Sequence, residues 1–231
     1  MNFSRQLELY DATNESDRIS VIGLGATGSW VALALAKLGV YKVNLFDMDI
    51  IETHNIPNQV YGLEDNGKLK TRMCEKHMIE LGSNITNVYT TTTEITPENF
   101  SERIVSPTVF CLVDSMKARK ELFEAAVAAG DVKLWIETRM GLTGYRIYLV
   151  HLDNQKEIDK YKETLYSDED AEVSACGSSQ SVVTTAMQCA SHAVGLWLAE
   201  KNNAEYVPNE IIFDIHSSFI MSRKFDKQEE E

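Results

Sequence analysis

A glycine-rich turn at residues 23–28 constrains the fold of this chain more than any other feature. The apolar run 19–22 precedes the turn, and a helical apolar segment follows it and leads into a second short strand, 41–46. A strand, a glycine turn, a helix and a strand that ends in an acid, here Asp47, are typical of a βαβ unit that binds a dinucleotide. The turn therefore predicts such a unit at the start of the chain.

The three glycines of the turn each have a separate physical role. Gly23 permits the tight turn, Gly25 lets the backbone approach a phosphate, and Gly28 lets the helix pack close to the strand. Asp47 lies 19 residues beyond Gly28, where a carboxylate can accept hydrogen bonds from a ribose. We therefore expect a nucleotide at the N-terminus of the helix, where free N–H groups and the helix dipole favour an anion.

Strand and helix patterns continue to alternate up to about residue 140. Strands are predicted at 88–93, 109–113 and 134–138, and helices at 68–81 and 115–129. This alternation predicts a Rossmann-like α/β fold, in which helices cover both faces of a mostly parallel sheet.

The pattern differs at the two ends of the chain. Residues 3–12 have the apolar spacing of a short amphipathic helix. Runs 145–152 and 210–219 alternate like antiparallel strands, and the polar stretch 153–175 and a long apolar helix, 181–200, lie between them. We predict that this last third forms a different layer, packed against the βαβ half.

The bulk properties exclude several classes of partner. The chain has 231 residues and a net charge of −13, which argues against binding to nucleic acid or to an anionic membrane. It has no run of about 20 apolar residues and no apolar signal segment at its N-terminus. The four cysteines, Cys74, Cys111, Cys176 and Cys189, lack the spacing of a structural zinc site. We expect a reduced, cytoplasmic protein without a membrane partner.

Four short segments after the βαβ unit match one pattern in order and spacing. They are Asp47-Met48-Asp49, Asn55-Ile56-Pro57-Asn58-Gln59, Gly67-Lys68-Leu69-Lys70, and Val113-Asp114-Ser115 with Arg119 beyond it. With the glycine turn, this series resembles the E1-like activating enzymes, the ThiF/MoeB family. That family has the pattern GxGxxG, DxD, NxxRQ, GxxK and a strand-end aspartate with an arginine five residues beyond it. The Ser4-Arg5-Gln6 segment is similar to the family's N-terminal Arg-Gln, and the resemblance extends from residue 1 to about 140.

The resemblance implies one E1-like adenylation domain over 1–231, with a nucleotide-binding half, 1–140, and a substrate and dimer half, 141–231. It implies an adenylyltransferase that binds ATP and Mg²⁺, so that a carboxylate attacks the α-phosphate and yields an acyl-adenylate and pyrophosphate. The carboxylate is most often the C-terminal glycine of a ubiquitin-like or sulfur-carrier protein, although a small-molecule or tRNA-borne carboxylate is an alternative. The resemblance also implies a homodimer, in which Arg5 reaches the γ-phosphate bound by the neighbouring subunit.

The resemblance also assigns the site residues. The predicted catalytic residues are Arg5, Lys70, Asp114 and Cys176, and Asp114 is the predicted Mg²⁺ ligand. The residues predicted to bind the nucleotide are Gly23, Gly25, Ala26, Thr27, Gly28, Asp47, Asp49, Asn55, Asn58, Gln59, Lys70 and Asp114. Cys176 precedes a helix N-terminus, where a thiol can have a lowered pKa and accept the activated acyl group.

Each polar residue also has a structural alternative. Asp114 could cap the helix that follows it, and Asn55 could stabilise its own loop. Lys70 and Arg5 could be solvated, and Arg119 could form a surface salt bridge of little value. Cys176, for its part, could be a small half-buried residue.

Asn58 departs from the family pattern, which has an arginine at that position. The loss of a phosphate-binding cation should weaken transition-state stabilisation by ~2–4 kcal/mol unless Lys68 or Arg72 replaces it. Two other functions therefore stay open beside the adenylyltransferase. One is a catalytically weakened module that binds a nucleotide or a ubiquitin-like protein, and the other is an NAD(P)-dependent oxidoreductase, which the glycine turn alone would allow.

Overall fold

The computed structural model describes residues 2–82, 86–166 and 182–225. Its strands and helices are, in chain order, β1 Arg18–Ile22, α1 Ala26–Leu38, β2 Lys42–Phe46, α2 Lys70–Leu81, β3 Asn87–Thr91, α3 Phe100–Arg103, β4 Thr108–Cys111, α4 Met116–Ala129, β5 Leu134–Met140, β6 Gly144–His151, α5 Gln155–Lys162, α6 Val183–Lys201, β7 Glu210–Asp214 and β8 Phe219–Arg223.

These eight strands form one sheet in the order β3-β2-β1-β4-β5-β6-β7-β8. The first five strands of that order are parallel, and β6, β7 and β8 are antiparallel to their neighbours. One buried cluster includes side chains of α1, α2 and α6, and another includes side chains of α3, α4 and α5. The predicted Rossmann-like fold, with a mostly parallel sheet and antiparallel strands at its C-terminal end, is confirmed.

The strand order reverses between β1 and β4. From β1 the chain moves to β2 and then β3 on one side, and it returns to place β4 and β5 on the other side. The connections leave β1 and β4 in opposite directions, which opens a crevice at the carboxyl ends of these strands. The fold therefore places its ligand cleft where the glycine turn and the segment after β4 meet.

Helix α1 packs closely because its first turn contains no bulky side chain. A Cβ atom on Gly28 would lie 1.9 Å from the backbone oxygen of Gly23, so only glycine allows this approach. Gly23 itself has a φ of +90°, a conformation that favours glycine. The helix ends at Gly39, whose φ of 80° is left-handed and whose N–H bonds to the last carbonyls.

The predicted helix at 3–12 is wrong, because the segment forms successive turns. Some of its apolar residues still pack inward: Tyr10 is buried and Phe3 contacts the core, whereas Leu7 and Leu9 are each 53% exposed. A helix this short is marginal without tertiary support. The Gln6 side chain instead donates a hydrogen bond to the Leu38 carbonyl at the end of α1.

The predicted separate layer at the C-terminal end is also wrong, because β6, β7 and β8 extend the same sheet. The run 210–219 is not one strand: β7 ends at Asp214, whose carboxylate accepts hydrogen bonds from Ser217 and closes a turn into β8. Within the polar stretch, α5 begins after Asn154, whose side chain accepts from two backbone N–H groups of its first turn. In the described part of the chain, no helix combines the length and apolar content of a membrane span.

Candidate functional site

A cleft of about 2430 Å³ lies along the carboxyl ends of the parallel strands. Most of the residues that the sequence predicts for a nucleotide site line this cleft. They are Gly23, Gly25, Ala26, Thr27, Asp47, Asp49, Asn55, Asn58, Gln59, Lys70 and Asp114. Three further residues differ: Gly28 packs beneath the turn, Arg5 is exposed elsewhere, and Cys176 lies outside the described residues.

The glycine turn presents backbone to the cleft without an intervening side chain. A Cβ atom on Gly25 would meet nothing within 4 Å, so the space above this residue is open. Gly25 precedes α1, and in the part of the chain that the structure describes no side chain caps this helix. The first N–H groups of α1 are therefore available to bind an anion, as in other nucleotide-binding turns.

Asp47 connects the glycine turn to the end of β2. One carboxylate oxygen accepts a hydrogen bond of 2.7 Å from the Leu24 N–H, and the other accepts one of 2.8 Å from the Asp49 N–H. Burial raises the pKa of the Asp47 carboxyl, and the positive charge of Lys70 opposes that rise. Each oxygen keeps a second lone pair, so the geometry is compatible with the predicted ribose contact.

Lys70 is held inside the cleft and is not a solvated surface lysine. Its side chain is 8% exposed, and its ammonium group lies 2.7 Å from a carboxylate oxygen of Asp49. The Lys70 N–H also bonds to the Asp49 carbonyl, which fixes the start of α2 next to the DxD segment. The site therefore contains a positioned cation, and the carboxylate of Asp49 that pairs with it is 56% exposed.

Asp114 follows β4 at the same edge of the sheet, and its side chain is exposed to the cleft. It does not cap α4: the Ser115 hydroxyl accepts the hydrogen bond from the Ala118 N–H at 3.2 Å. Within residues 2–82, 86–166 and 182–225, no group of three His, Cys, Asp or Glu side chains could hold a metal. A single carboxylate does fit Mg²⁺, which proteins often hold through one or two carboxylates together with substrate phosphates.

A buried ion network supports the turn that carries Asp114. Arg119 is 4% exposed, so it does not form a surface salt bridge. Its guanidinium donates to the Val113 carbonyl at 2.5 Å and to the Thr138 carbonyl at 3.1 Å, and its Nε lies 2.7 Å from a carboxylate oxygen of Glu137. The turn after β4 is thereby fixed to β5.

Glu137 is a buried acid next to the cleft residues that the sequence pattern did not single out. It is fully buried on β5 and contacts two arginines, Arg119 and Arg139, and the hydroxyl of Tyr161. Arg139 also donates hydrogen bonds to the carbonyl and hydroxyl oxygens of Thr164, which lines the cleft. The only signal in the sequence was an acid inside the apolar strand pattern at 134–138.

The asparagines of the NxxRQ-like segment line the cleft, and Asn55 has a structural contact as well. Its side-chain oxygen accepts a hydrogen bond of 3.0 Å from the Glu52 N–H, as expected for a loop-stabilising residue. Neither Lys68 nor Arg72 lines the cleft; their side chains are 47% and 59% exposed, and their nearest acids are Asp65 and Glu75. The structure does not place either residue where it could replace the cation that Asn58 lacks.

The described cysteines are poor nucleophiles. Cys74, Cys111 and Cys189 are buried, and burial raises the pKa of each thiol, to about 12 for Cys111 and Cys189. A thiol with so high a pKa is not ionised near neutral pH. The acyl-transfer role of Cys176 stays a prediction.

Comparison with known proteins shows the same relationship over nearly the whole chain. The profile described as the ThiF family matches residues 4–229. The chain is 28% identical over 132 residues to ubiquitin-like modifier-activating enzyme 5 of Dictyostelium discoideum, which covers 52% of this chain and 34% of that protein. It is 27% identical over 136 residues to the sulfur carrier protein ThiS adenylyltransferase of Escherichia coli, covering 55% of this chain and 54% of that protein. The chain thus spans about a third to a half of these relatives.

The fold resembles a solved structure at lower sequence identity. The crystal structure of E. coli MccB with ATP superposes with a TM-score of 0.71 at 16% identity, covering 94% of this chain and 66% of that chain. At this identity the likeness concerns the fold alone.

Proposed function

The chain belongs to the ThiF family, and we propose from that premise that it is an adenylyltransferase that uses ATP and Mg²⁺ to activate a carboxylate. One observation carries the proposal: a single cleft brings together the glycine turn, the buried ammonium group of Lys70 and the exposed carboxylate of Asp114. A nicotinamide cofactor needs the turn but has no evident use for the other two groups. A nucleoside triphosphate uses all three, because it carries about four negative charges to be offset.

In the proposed reaction, an oxygen of the substrate carboxylate forms a bond to the α-phosphorus as the bond from that phosphorus to the pyrophosphate oxygen breaks. The products are an acyl-adenylate and pyrophosphate. The amides of the glycine turn and Lys70 hold the phosphates in line, and Asp47 orients the ribose. When bound, Mg²⁺ would supply positive charge at the phosphates through Asp114. Positioning and charge neutralisation account for most catalysis of this kind, so no protein nucleophile is required for this step.

We propose that the activated carboxylate belongs to the C-terminus of a ubiquitin-like or sulfur-carrier protein. The two relatives, an activating enzyme for a ubiquitin-like modifier and an adenylyltransferase for the carrier ThiS, support this substrate class. A small-molecule carboxylate is the alternative. The proposal includes a homodimer in which Arg5, exposed in this chain, completes the neighbouring site.

A specific observation favours a second candidate, a catalytically weakened binding module. Asn58 lines the cleft at the position where the family has an arginine, and neither Lys68 nor Arg72 lines the cleft beside it. Such a module would bind ATP without efficient turnover. Pyrophosphate release that depends on an added carboxylate substrate would exclude it.

The test is thermal unfolding of the full chain with ATP and Mg²⁺, with NAD⁺, with NADPH and without ligand. A ligand at 100 times its Kd stabilises by about 2.7 kcal/mol, which for a chain of this length raises the Tm by roughly 5–10 °C. Asp114→Asn should lose the Mg²⁺-dependent part of the shift, whereas Asp131→Asn, an exposed acid outside the cleft lining, should keep it. A shift with a nicotinamide cofactor alone would refute the proposal.

A further inference from the structure

The β6 to β8 end of the cleft is built around two arginines that the glycine-turn motifs do not include. Arg146 on β6 and Arg223 on β8 line the cleft, and their side chains are 53% and 48% exposed. Both lie next to Glu210 on β7, which is buried. Arg223 donates its Nε–H to one carboxylate oxygen of Glu210, and an Nη atom of Arg146 lies 3.7 Å from the other.

These arginines share one face of the sheet with the buried network described above. Tyr148 pairs with Glu137 on one side and Glu210 on the other, and Arg146 lies directly opposite Arg139. Directly opposed residues of antiparallel strands point to the same face. Two arginines therefore occupy paired positions on neighbouring strands, an arrangement that is unfavourable unless negative charge compensates it.

Three acidic residues lie on this face of the sheet: Glu137 on β5, and Glu210 and Asp214 on β7. Glu137 neutralises one of Arg119 and Arg139, and Glu210 neutralises one of Arg146 and Arg223. Each of the two buried carboxylates, Glu137 and Glu210, is therefore shared between two guanidinium groups.

Arg146 and Arg223 are the more accessible pair of these four arginines. Arg139 is 9% exposed and directs its donors to Glu137 and Thr164. Arg146 and Arg223 are half-exposed, and each guanidinium carries five N–H donors, more than one carboxylate can accept. Both side chains line the cleft, and the planar fork of a guanidinium suits a carboxylate.

The position of this pair identifies the part of the substrate that it would contact. Neighbouring strands lie about 4.8 Å apart, so β6, two strands from β4, places Arg146 about 10 Å across the sheet from the strand that precedes Asp114. In the proposed reaction the nucleotide occupies the glycine-turn side of the cleft, and the acyl substrate must enter from the other side. The arginine pair lies along that side.

We propose that Arg146 and Arg223 bind a second carboxylate of the acyl substrate, so that the protein selects substrates with an acidic group near the carboxylate that is activated. This inference rests on the proposed function for the identity of the ligand as a substrate. The second carboxylate has two possible sources, an acidic side chain of a peptide or a small dicarboxylic acid.

The test uses two matched probe pairs and NMR titration of the full chain labelled with ¹⁵N. The peptide pair is N-acetyl-Glu-Gly-Gly and N-acetyl-Gln-Gly-Gly, and the small-molecule pair is glutarate and its monoamide. We expect the acidic member of a pair to bind about tenfold more tightly, as for a half-exposed charge-assisted contact. A preference in the peptide pair alone indicates an acidic peptide, and a preference in both pairs indicates that a small dicarboxylic acid suffices.

Arg146→Gln should abolish the preference, and Arg72→Gln, a 59% exposed arginine outside the cleft lining, should keep it. Arg223→Gln should act like Arg146→Gln; should it fail to fold because the buried Glu210 loses its hydrogen-bonded partner, Arg146→Gln carries the test alone. Equal binding of acid and amide by the wild-type chain, or no binding of either, overturns the inference, as does a preference that survives Arg146→Gln.

Thermal unfolding with ATP and Mg²⁺, measured in parallel on the wild-type chain, separates the two proposals. A preference for the acid that depends on Arg146, without an ATP shift, leaves the anion site in place and removes the adenylyltransferase. A rise in Tm with ATP and Mg²⁺, without any preference for the acid, removes the anion site and leaves the adenylyltransferase in place.

Discussion

Replacement of Glu137 by glutamine should destabilise the protein more than its small change in shape suggests. The carboxylate is fully buried, with a guanidinium nitrogen of Arg119 at 2.7 Å and one of Arg139 at 3.0 Å. Glutamine keeps the volume but removes the charge, which leaves two nearly buried cations without a counterion. Removing one partner from a buried ion pair costs about 3–5 kcal/mol, mostly as the penalty of the unpaired charge.

That loss is large against the total stability of a domain, which is about 5–15 kcal/mol. A change of 1 kcal/mol shifts the Tm of a chain of this length by about 2–4 °C, so Glu137→Gln should lower the Tm by roughly 6–20 °C. Calorimetry and urea titration at neutral pH measure the change. Glu102→Gln is the matched control, because Glu102 is 74% exposed and its arginine partner lies 3.6 Å away on the surface; we expect less than about 0.5 kcal/mol there.

A loss below about 1 kcal/mol in Glu137→Gln would refute this reasoning. It would mean that the arginines find other acceptors or water once the carboxylate is gone. A loss of equal size in Glu102→Gln would show that the method does not isolate burial as the cause.

Two further predictions concern pH and the glycine turn. The imidazole of His151 lies 2.9 Å from a carboxylate of Glu157 and 2.9 Å from one of Glu200, and the hydrogen bond to Glu157 is the main reason that its pKa is raised to about 9. The resulting stabilisation is fully present below the unfolded pKa of about 6.5 and is lost as the pH rises through about 9. His151→Asn should therefore lower the free energy of unfolding, measured by urea titration, by about 1–2 kcal/mol near pH 6 and by little near pH 10. An equal loss of stability at both pH values would contradict this prediction. Gly28→Ala should lower stability by at least about 1–3 kcal/mol, since its Cβ would lie 1.9 Å from a backbone oxygen. Gly25→Ala, whose Cβ would meet nothing within 4 Å, should fold normally and lose only the rise in Tm that ATP causes. Similar unfolding temperatures for the two variants would exclude this account.

The parts of the fold that could be predicted are those that local sequence determines. The glycine turn fixes β1, α1 and β2, because tight turns, strand alternation and helix periodicity are all encoded within about 30 residues. The position of Asp114 at the sheet edge follows from the apolar run before it. The end of β7 at Asp214 could not be predicted in this way. Asp214 closes the turn into β8, but in the sequence it is only one more polar position in the alternating run 210–219.

The parts that could not be predicted depend on pairs that lie far apart in the sequence. Arg119 and Glu137 are 18 positions apart on different elements, and neither residue shows in isolation that the other neutralises it. The burial of Lys70 depends likewise on a loop 21 positions upstream. Alternation in 145–152 indicates a half-buried strand but does not say which sheet accepts it, so the extension of one sheet by β6 to β8 followed only from the structure.

The contact between α1 and α6 has a consequence for how the protein is made. Residues 26–38 are synthesised early, yet the helix that covers their apolar face comes from residues 183–201. At about 5–20 residues per second on the ribosome, α1 waits roughly 10–30 s for its partner. During that interval the nascent chain presents Val31 and Leu35, both fully buried in the finished fold, to solvent or to a chaperone. Slower translation should therefore increase aggregation of this protein, and coexpressed chaperones that hold apolar segments should reduce it.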